Sequence, residues 1–167
     1  MPQTKTIKRA RKAKREGKSP STQAGEFVRE EIRDIRKGKH GARSAKQAIA
    51  IGLSKARRAG VDLPPPENGE VPEKSRKSAK RAYELGHGAA PKRKPSAKRS
   101  KAITRALQRE GTAAASHRAL SRQAKKAAKR RTAAERSAAA KKASATKGAA
   151  GRRRAAKKAA RTRAART

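Results

Sequence analysis

The sequence predicts a mainly α protein: a short helical hairpin plus isolated helices, joined by long disordered basic segments and lacking a large core. Three observations predict it. Apolar residues recur at helical spacing in two neighbouring stretches, Val28, Ile32 and Ile35 and then Ala45, Ala48, Ile49, Gly52, Leu53 and Ala56. The chain carries a formal net charge of +38 on 167 residues, with 50 Lys and Arg against 12 Asp and Glu. Its 33% hydrophobic fraction is mostly Ala, and one Phe, one Tyr and no Trp leave little to bury.

Residues 1–19 read as a solvated basic arm, in preference to an organellar presequence or a nuclear localisation run. Residues 20–60 form the expected hairpin. Ser19 is placed to cap, Pro20 suits the first turn, and Glu26, Glu30 and Glu31 lie early in the helix, where its dipole favours acids. Phe27 flanks the apolar stripe, and Gly38 and Gly41 stop the helix. Ser44 caps the second helix and Gly60 suits its C′ position. Ala48 and Gly52 are small enough for close approach of a partner helix. So few large side chains make dimerisation or a bound partner the expected aid to full order.

Residues 61–74 are a linker, since Pro64, Pro65 and Pro66 favour polyproline II. Residues 75–111 hold short basic helices, one with Ala79, Ala82 and Tyr83 on one side and Gly86 at its end, another with Ile103 and Leu107 at i, i+4 and Gly111 at its close. Similar helix grammar gives residues 43–60 and 99–111 a faint internal echo. Residues 112–167 are an Ala, Lys and Arg-rich tail. Thr132 and Glu135 have capping-box spacing, and Ala favours helix, while the like-charge pairs Lys125–Lys129 and Lys126–Arg130 oppose it. The tail is therefore expected to be poised, gaining helix when a polyanion neutralises it.

No catalytic constellation is visible. Without Cys there is no disulfide framework, thiolate nucleophile or Cys-based zinc site. His40, His87 and His117 are isolated and read as surface-turn residues, and the pair Glu30–Glu31 reads as a solvated face. We expect no enzyme activity, no cofactor and no metal. The absence of an apolar run near 20 residues and of a secretory h-region points to a cytoplasmic, nucleoid-associated protein.

Charge patterning indicates the partner. Residues 1–88 carry 23 Lys and Arg against 10 acids, and residues 89–167 carry 27 against 2, a net of +13 followed by +25. The candidate nucleic-acid-binding residues are Lys8, Arg9, Arg11, Lys12, Lys14 and Arg15 in the arm, and Lys46, Lys55, Arg57 and Arg58 on the second hairpin helix. Beyond the linker they are Lys92, Arg93, Lys94, Lys98, Arg99 and Lys101. In the tail they are Lys125, Lys126, Lys129, Arg130, Arg131, Lys141, Lys142, Arg152, Arg153, Arg154, Lys157 and Lys158. Such runs displace condensed counterions from phosphates and give salt-sensitive affinity without sequence readout. With only Phe27 and Tyr83 as stacking platforms, single-strand recognition is disfavoured, so DNA is the first expected partner and RNA the second. A membrane is not expected, because the tail offers Ala where amphipathic binders offer Trp, Phe or Leu. An RNA- or ribosome-associated role is the alternative, as is a protein-interaction module, or a weak homo-oligomer, built on the 20–60 hairpin.

Two resemblances extend this reading. The stretch RKGKHGARSAKQAIAIGLSKARRAG resembles the signature of a family of small, basic, functionally uncharacterised bacterial proteins, over about residues 26–60. That likeness implies a bacterial source and carries no binding residues with it. Residues 112–167 are similar in composition to linker-histone C-terminal tails and to Lys/Ala-rich extensions of bacterial nucleoid proteins, which implies DNA compaction by charge neutralisation.

Overall fold

Seven α-helices and one 3-10 turn, with no strand, make up the secondary structure of residues 2–89 and 96–165, the part of the chain that the computed structural model describes. The mainly helical expectation holds. The expectation of long disordered segments does not: both the N-terminal arm and the Ala-rich tail are helical. Lys92, Arg93 and Lys94 lie outside the described residues. The chain divides into two units, one ending at Gln123 and one beginning at Ala124.

In the first unit, α1 (Thr4–Arg15) replaces the expected solvated arm. Its Ala, Lys and Arg residues are good helix formers, and its small residues Thr6, Ala10 and Ala13, at i, i+4 and i+7, are buried. The arm is short of large apolar side chains, but a stripe of small ones lets a helix lie close against a neighbour. Ile7 and Ala10 join Phe27, Ala24, Ala56 and Val61 in one core cluster. Phe27, expected to flank the stripe, is fully buried there. Gly17 ends α1 at φ +67°, with the Lys18 N–H donating to the Ala13 carbonyl in a Schellman-type closure.

The hairpin appears as α2 (Pro20–Arg36) and α3 (Ala45–Arg58). Ser19 does not cap α2 through its side chain, whose hydroxyl instead meets those of Ser21 and Thr22. Ser44 caps α3 as expected, accepting from the Gln47 N–H at 3.2 Å, while the Gln47 side chain accepts from the Arg43 N–H at 2.9 Å. The role assigned to Gly52 is met in detail. A Cβ there would come within 2.7 Å of the Val28 Cα, so α2 and α3 touch backbone to backbone at this point.

The second core cluster shows what completes the hairpin. Ile32, Ile35, Ala42 and Ala48 pack with Ala114 and Ala115 of the 3-10 turn (Ala113–Ala115), and Val28 and Leu120 border them. The Gly41 and Ala42 N–H groups donate to the carbonyls of Leu107 and Gly111, and the Arg36 guanidinium donates to that of Ala115. Gly41 is a contact position as well as a stop, since a Cβ on it would strike the Glu110 carbonyl. Residues 107–120, assigned by composition to the basic helices and tail, thus close the hairpin from outside its own sequence.

The Pro-rich stretch is free of helix as expected, but it is fastened down. Val61 is buried, and the Arg57 guanidinium donates to the carbonyls of Leu63 and Pro64 at 3.0 Å each. It leads into α4 (Glu73–Gly86), which buries Ala82 and meets the end of α3 where Gly86 lies against the Arg57 carbonyl. Next, α5 (Ala97–Arg109) buries none of its residues and leaves Ile103 55% exposed.

The last helices are α6 (His117–Lys129), within which the division between the units falls, and α7 (Ala133–Ala164). The capping box forms at the start of α7: Thr132 Oγ1 accepts from the Glu135 N–H, and the Glu135 carboxylate accepts from the Thr132 N–H at 2.7 Å. Gly148, at φ +63°, breaks α7 into two stretches, and Arg152 reaches back across the break to the carbonyl and hydroxyl of Ser144.

Candidate nucleic-acid interface

Helix geometry sorts the basic residues better than contiguous runs do. In α1 the buried stripe fixes one face, and Lys5, Lys8, Lys12 and Arg15 follow i, i+3, i+7, i+10 on the opposite, exposed side. In α5, Lys98, Lys101, Arg105 and Arg109 share one face. In α6, Arg118, Arg122, Lys125, Lys126 and Lys129 stand at i, i+4, i+7, i+8 and i+11, all exposed, while Leu120 lies on the other side against the core. In the second stretch of α7, Arg154, Lys157, Lys158 and Arg161 form a further stripe and line a shallow surface hollow. Arg153 adjoins it, whereas Arg152 is engaged at the Gly148 break.

Arg105, Arg109, Arg118, Arg122 and Arg161 are the residues a search for contiguous runs misses. None of them has a Lys or Arg as its immediate neighbour in sequence. The signal that finds them is their three- and four-residue spacing from known cations once the segment is read as helix.

Ion pairing separates these surfaces. Acids are concentrated in the first unit and are used there. Arg9 lies 3.9 Å from Glu26, Arg29 3.1 Å from Glu26, Lys39 2.8 Å from Asp34, and Arg76 2.8 Å from Glu73. Glu16 lies 2.6 Å from Lys18, which holds its carboxyl below the ordinary range, and 3.9 Å from Lys12. Among the described residues, no cation of α5, α6 or α7 has a carboxylate within ion-pair distance. Of the two acids after residue 88, Glu110 pairs with Arg43, and Glu135 is held in the capping box, where the Thr132 N–H lowers its carboxyl pKa. Lys141, Lys142, Arg130 and Arg131 are likewise exposed.

Two of the expected binding residues serve the fold instead. Arg57 is 7% exposed; burial alone disfavours its charge, and its guanidinium is satisfied by the two linker carbonyls. Lys55 lies 2.5 Å from the Glu31 carboxylate. Lys46 and Arg58 remain exposed.

The acidic pair is also corrected. Glu30, Glu31 and Asp34 are buried, not part of a solvated face. Glu30 accepts the Gln3 N–H on both oxygens at 3.2 Å, so the residue that starts α1 is fixed to α2. Glu31, 0% exposed, sits between Lys55 and His40, whose Nε2 is 3.5 Å from Oε1. His40 is therefore half-buried against a carboxylate, whereas His87 and His117 are exposed as expected. His87 stacks on Tyr83 at 4.0 Å, and the Tyr83 hydroxyl donates to Asp62 at 2.6 Å, a bond that raises the phenol's pKa. No group of three or more His, Asp or Glu among the described residues is arranged to hold a metal ion. No helix among them is long and apolar enough to cross a membrane.

A family model described as "Family of unknown function (DUF6496)" matches residues 11–67, which span the C-terminal end of α1, the hairpin and the start of the linker. The match encloses the Lys-Gln-Ala-Ile-Ala-Ile segment and stops short of α5, α6 and α7. No curated protein and no solved structure matches the chain.

Proposed function

We propose that this protein binds nucleic acid through its phosphates, without marked sequence preference, and that duplex DNA is its principal partner in a nucleoid-associated role. The observation that supports the reading most is the set of one-sided stripes on α5, α6 and α7, whose cations have no carboxylate partners among the described residues. A helix that puts four or five cations on one face engages several phosphates at once, and each contact releases condensed counterions. Ala on the other face maintains helix propensity at small size. Phe27 is buried and one face of Tyr83 is stacked on His87, which leaves little platform for single-stranded bases.

The first unit acts as the folded anchor and contributes the α5 stripe, and the second adds the α7 stripe. Binding to a random-sequence duplex, followed by fluorescence anisotropy across a salt series, tests this. The account expects log K to fall with log salt at a slope of about −0.9 per phosphate engaged, and similar affinity for unrelated duplex sequences. A competitor series should rank duplex DNA above single-stranded DNA; a preference for structured RNA would turn the reading towards the ribosome-associated alternative. Affinity that ignores salt would contradict it.

A further inference from the structure

An apolar groove of about 500 Å3 lies between α3, the end of the linker and α4. Helices α3 and α4 meet at their C-terminal ends, where Gly86 lies against the Arg57 carbonyl. The groove follows α3 from Lys46 to Arg57, about 16 Å at 1.5 Å per residue, and takes its other wall from the N-terminal half of α4. Ile49, Leu53 and Val71 give it an apolar lining, and all three are only partly buried. Leu53 packs against the Phe27 cluster, whereas Ile49 belongs to neither core cluster and faces the groove.

Two cations, Lys46 and Lys74, belong to the lining, one in the first turn of each helix. Both are exposed, and neither has a carboxylate within ion-pair distance among the described residues, although Arg76 and Lys77 share Glu73. The buried cation in the groove, Arg57, is already satisfied by the linker carbonyls. The surface therefore combines an apolar trough with unmatched positive charge. Its volume falls within the range of about 300–1,000 Å3 typical of small-molecule sites.

We propose that this groove binds a small amphipathic anion, an acyl or aryl carboxylate whose chain lies on Ile49, Leu53 and Val71 and whose head group meets Lys46 and Lys74. The stripes on α5, α6 and α7 take phosphates by charge alone; this groove selects for an apolar body as well. The groove shares no residue with those stripes, although Lys46 is also among the candidate nucleic-acid-binding residues, and this inference does not rest on the nucleic-acid reading.

Isothermal titration of the full-length protein with decanoate, and separately with acetate, at high salt tests the proposal. The expected result is one saturable decanoate site per chain and no saturable acetate site. Ala50→Glu and Ser78→Trp change exposed positions on the two walls, outside both core clusters. Each should weaken decanoate binding at least tenfold with an unchanged circular dichroism spectrum. The double variant Lys46→Gln, Lys74→Gln should weaken it several-fold, and Lys157→Gln, Lys158→Gln on α7 should leave it unchanged. Equal uptake of acetate and decanoate would overturn the proposal, as would decanoate binding that survives both wall variants or is lost in the α7 variant.

Discussion

Residues up to Gln123 and residues from Ala124 onward are made from similar residue types yet solve different physical problems. The first unit spends its few large apolar residues and most of its acids in the same place. Phe27, Ile32 and Ile35 are buried beside Glu30, Glu31 and Asp34, and the carboxylates tie α1, α3 and the Gly38–Gly41 turn to α2. The second unit buries nothing among its described residues and holds a single acid, which is committed to a helix cap. Its helices rest on propensity and capping, and its cations have no carboxylate within ion-pair distance among the described residues. Among the described residues every core residue thus lies in the first unit, so the second can be altered without damaging a core.

The largest effect should come from the first core. Phe27→Ala removes the only large aromatic side chain buried there and should cost about 3–5 kcal/mol. Thermal unfolding should lose its cooperative step, while the helical circular dichroism of residues 124–165 persists. Breaking the buried ion site by Lys55→Met removes the hydrogen-bonded lysine from the buried Glu31 carboxylate, and a loss of about 3 kcal/mol is expected, read as a lower urea midpoint.

Glycines sharpen the comparison within the hairpin. Gly52→Ala drives a Cβ into the Val28 backbone and should cost about 1–3 kcal/mol. Gly25→Ala, on the same helix pair but with open space around it, should instead stabilise by about 0.5–1 kcal/mol. Urea unfolding of the two variants should shift in opposite directions.

Effects in the tail are smaller. Neutralising Arg122 or Lys126 by Gln should leave the melting profile unchanged and reduce the salt slope of duplex binding by about 1 each. Thr132→Ala should lower helicity at the start of α7 by the equivalent of about 1 kcal/mol. The same cap carries a pH dependence. Because the folded state lowers the Glu135 carboxyl below its usual 4.5, the contribution is present above that value and disappears as pH falls through the lowered one. A loss of tail helicity confined to that acidic range, absent in Glu135→Gln, is the expected signature.

Much of this division is legible in the sequence, because it depends on local rules. The hairpin, its Gly52 contact, the Ser44 cap, the Thr132–Glu135 box and the Pro-rich interruption all follow from spacing and capping chemistry. What stayed hidden depends on distant partners. Thr6, Ala10 and Ala13 bury a face made of residues too small to register as a hydrophobic stripe. Glu30 and Glu31 look solvated until Gln3, His40 and Lys55 are brought to them. Gly41 and Ala42 find their carbonyl acceptors more than sixty residues away. In the candidate interface, contiguous basic runs locate the tail but misassign Arg57 and Lys55 and overlook the isolated arginines of α5 and α6.

The proposed function assigns phosphate contacts to α7 in the second unit as well as to α5 in the first. Its most direct test compares duplex binding by the full chain and by a chain truncated after Gln123, each across a salt series, with both checked for a cooperative melt. The truncated chain, which keeps the α5 stripe and Arg118 and Arg122, is expected to fold and to bind the duplex more weakly and with a shallower salt slope than the full chain. Equal affinity and equal slope in a folded truncated chain would contradict it.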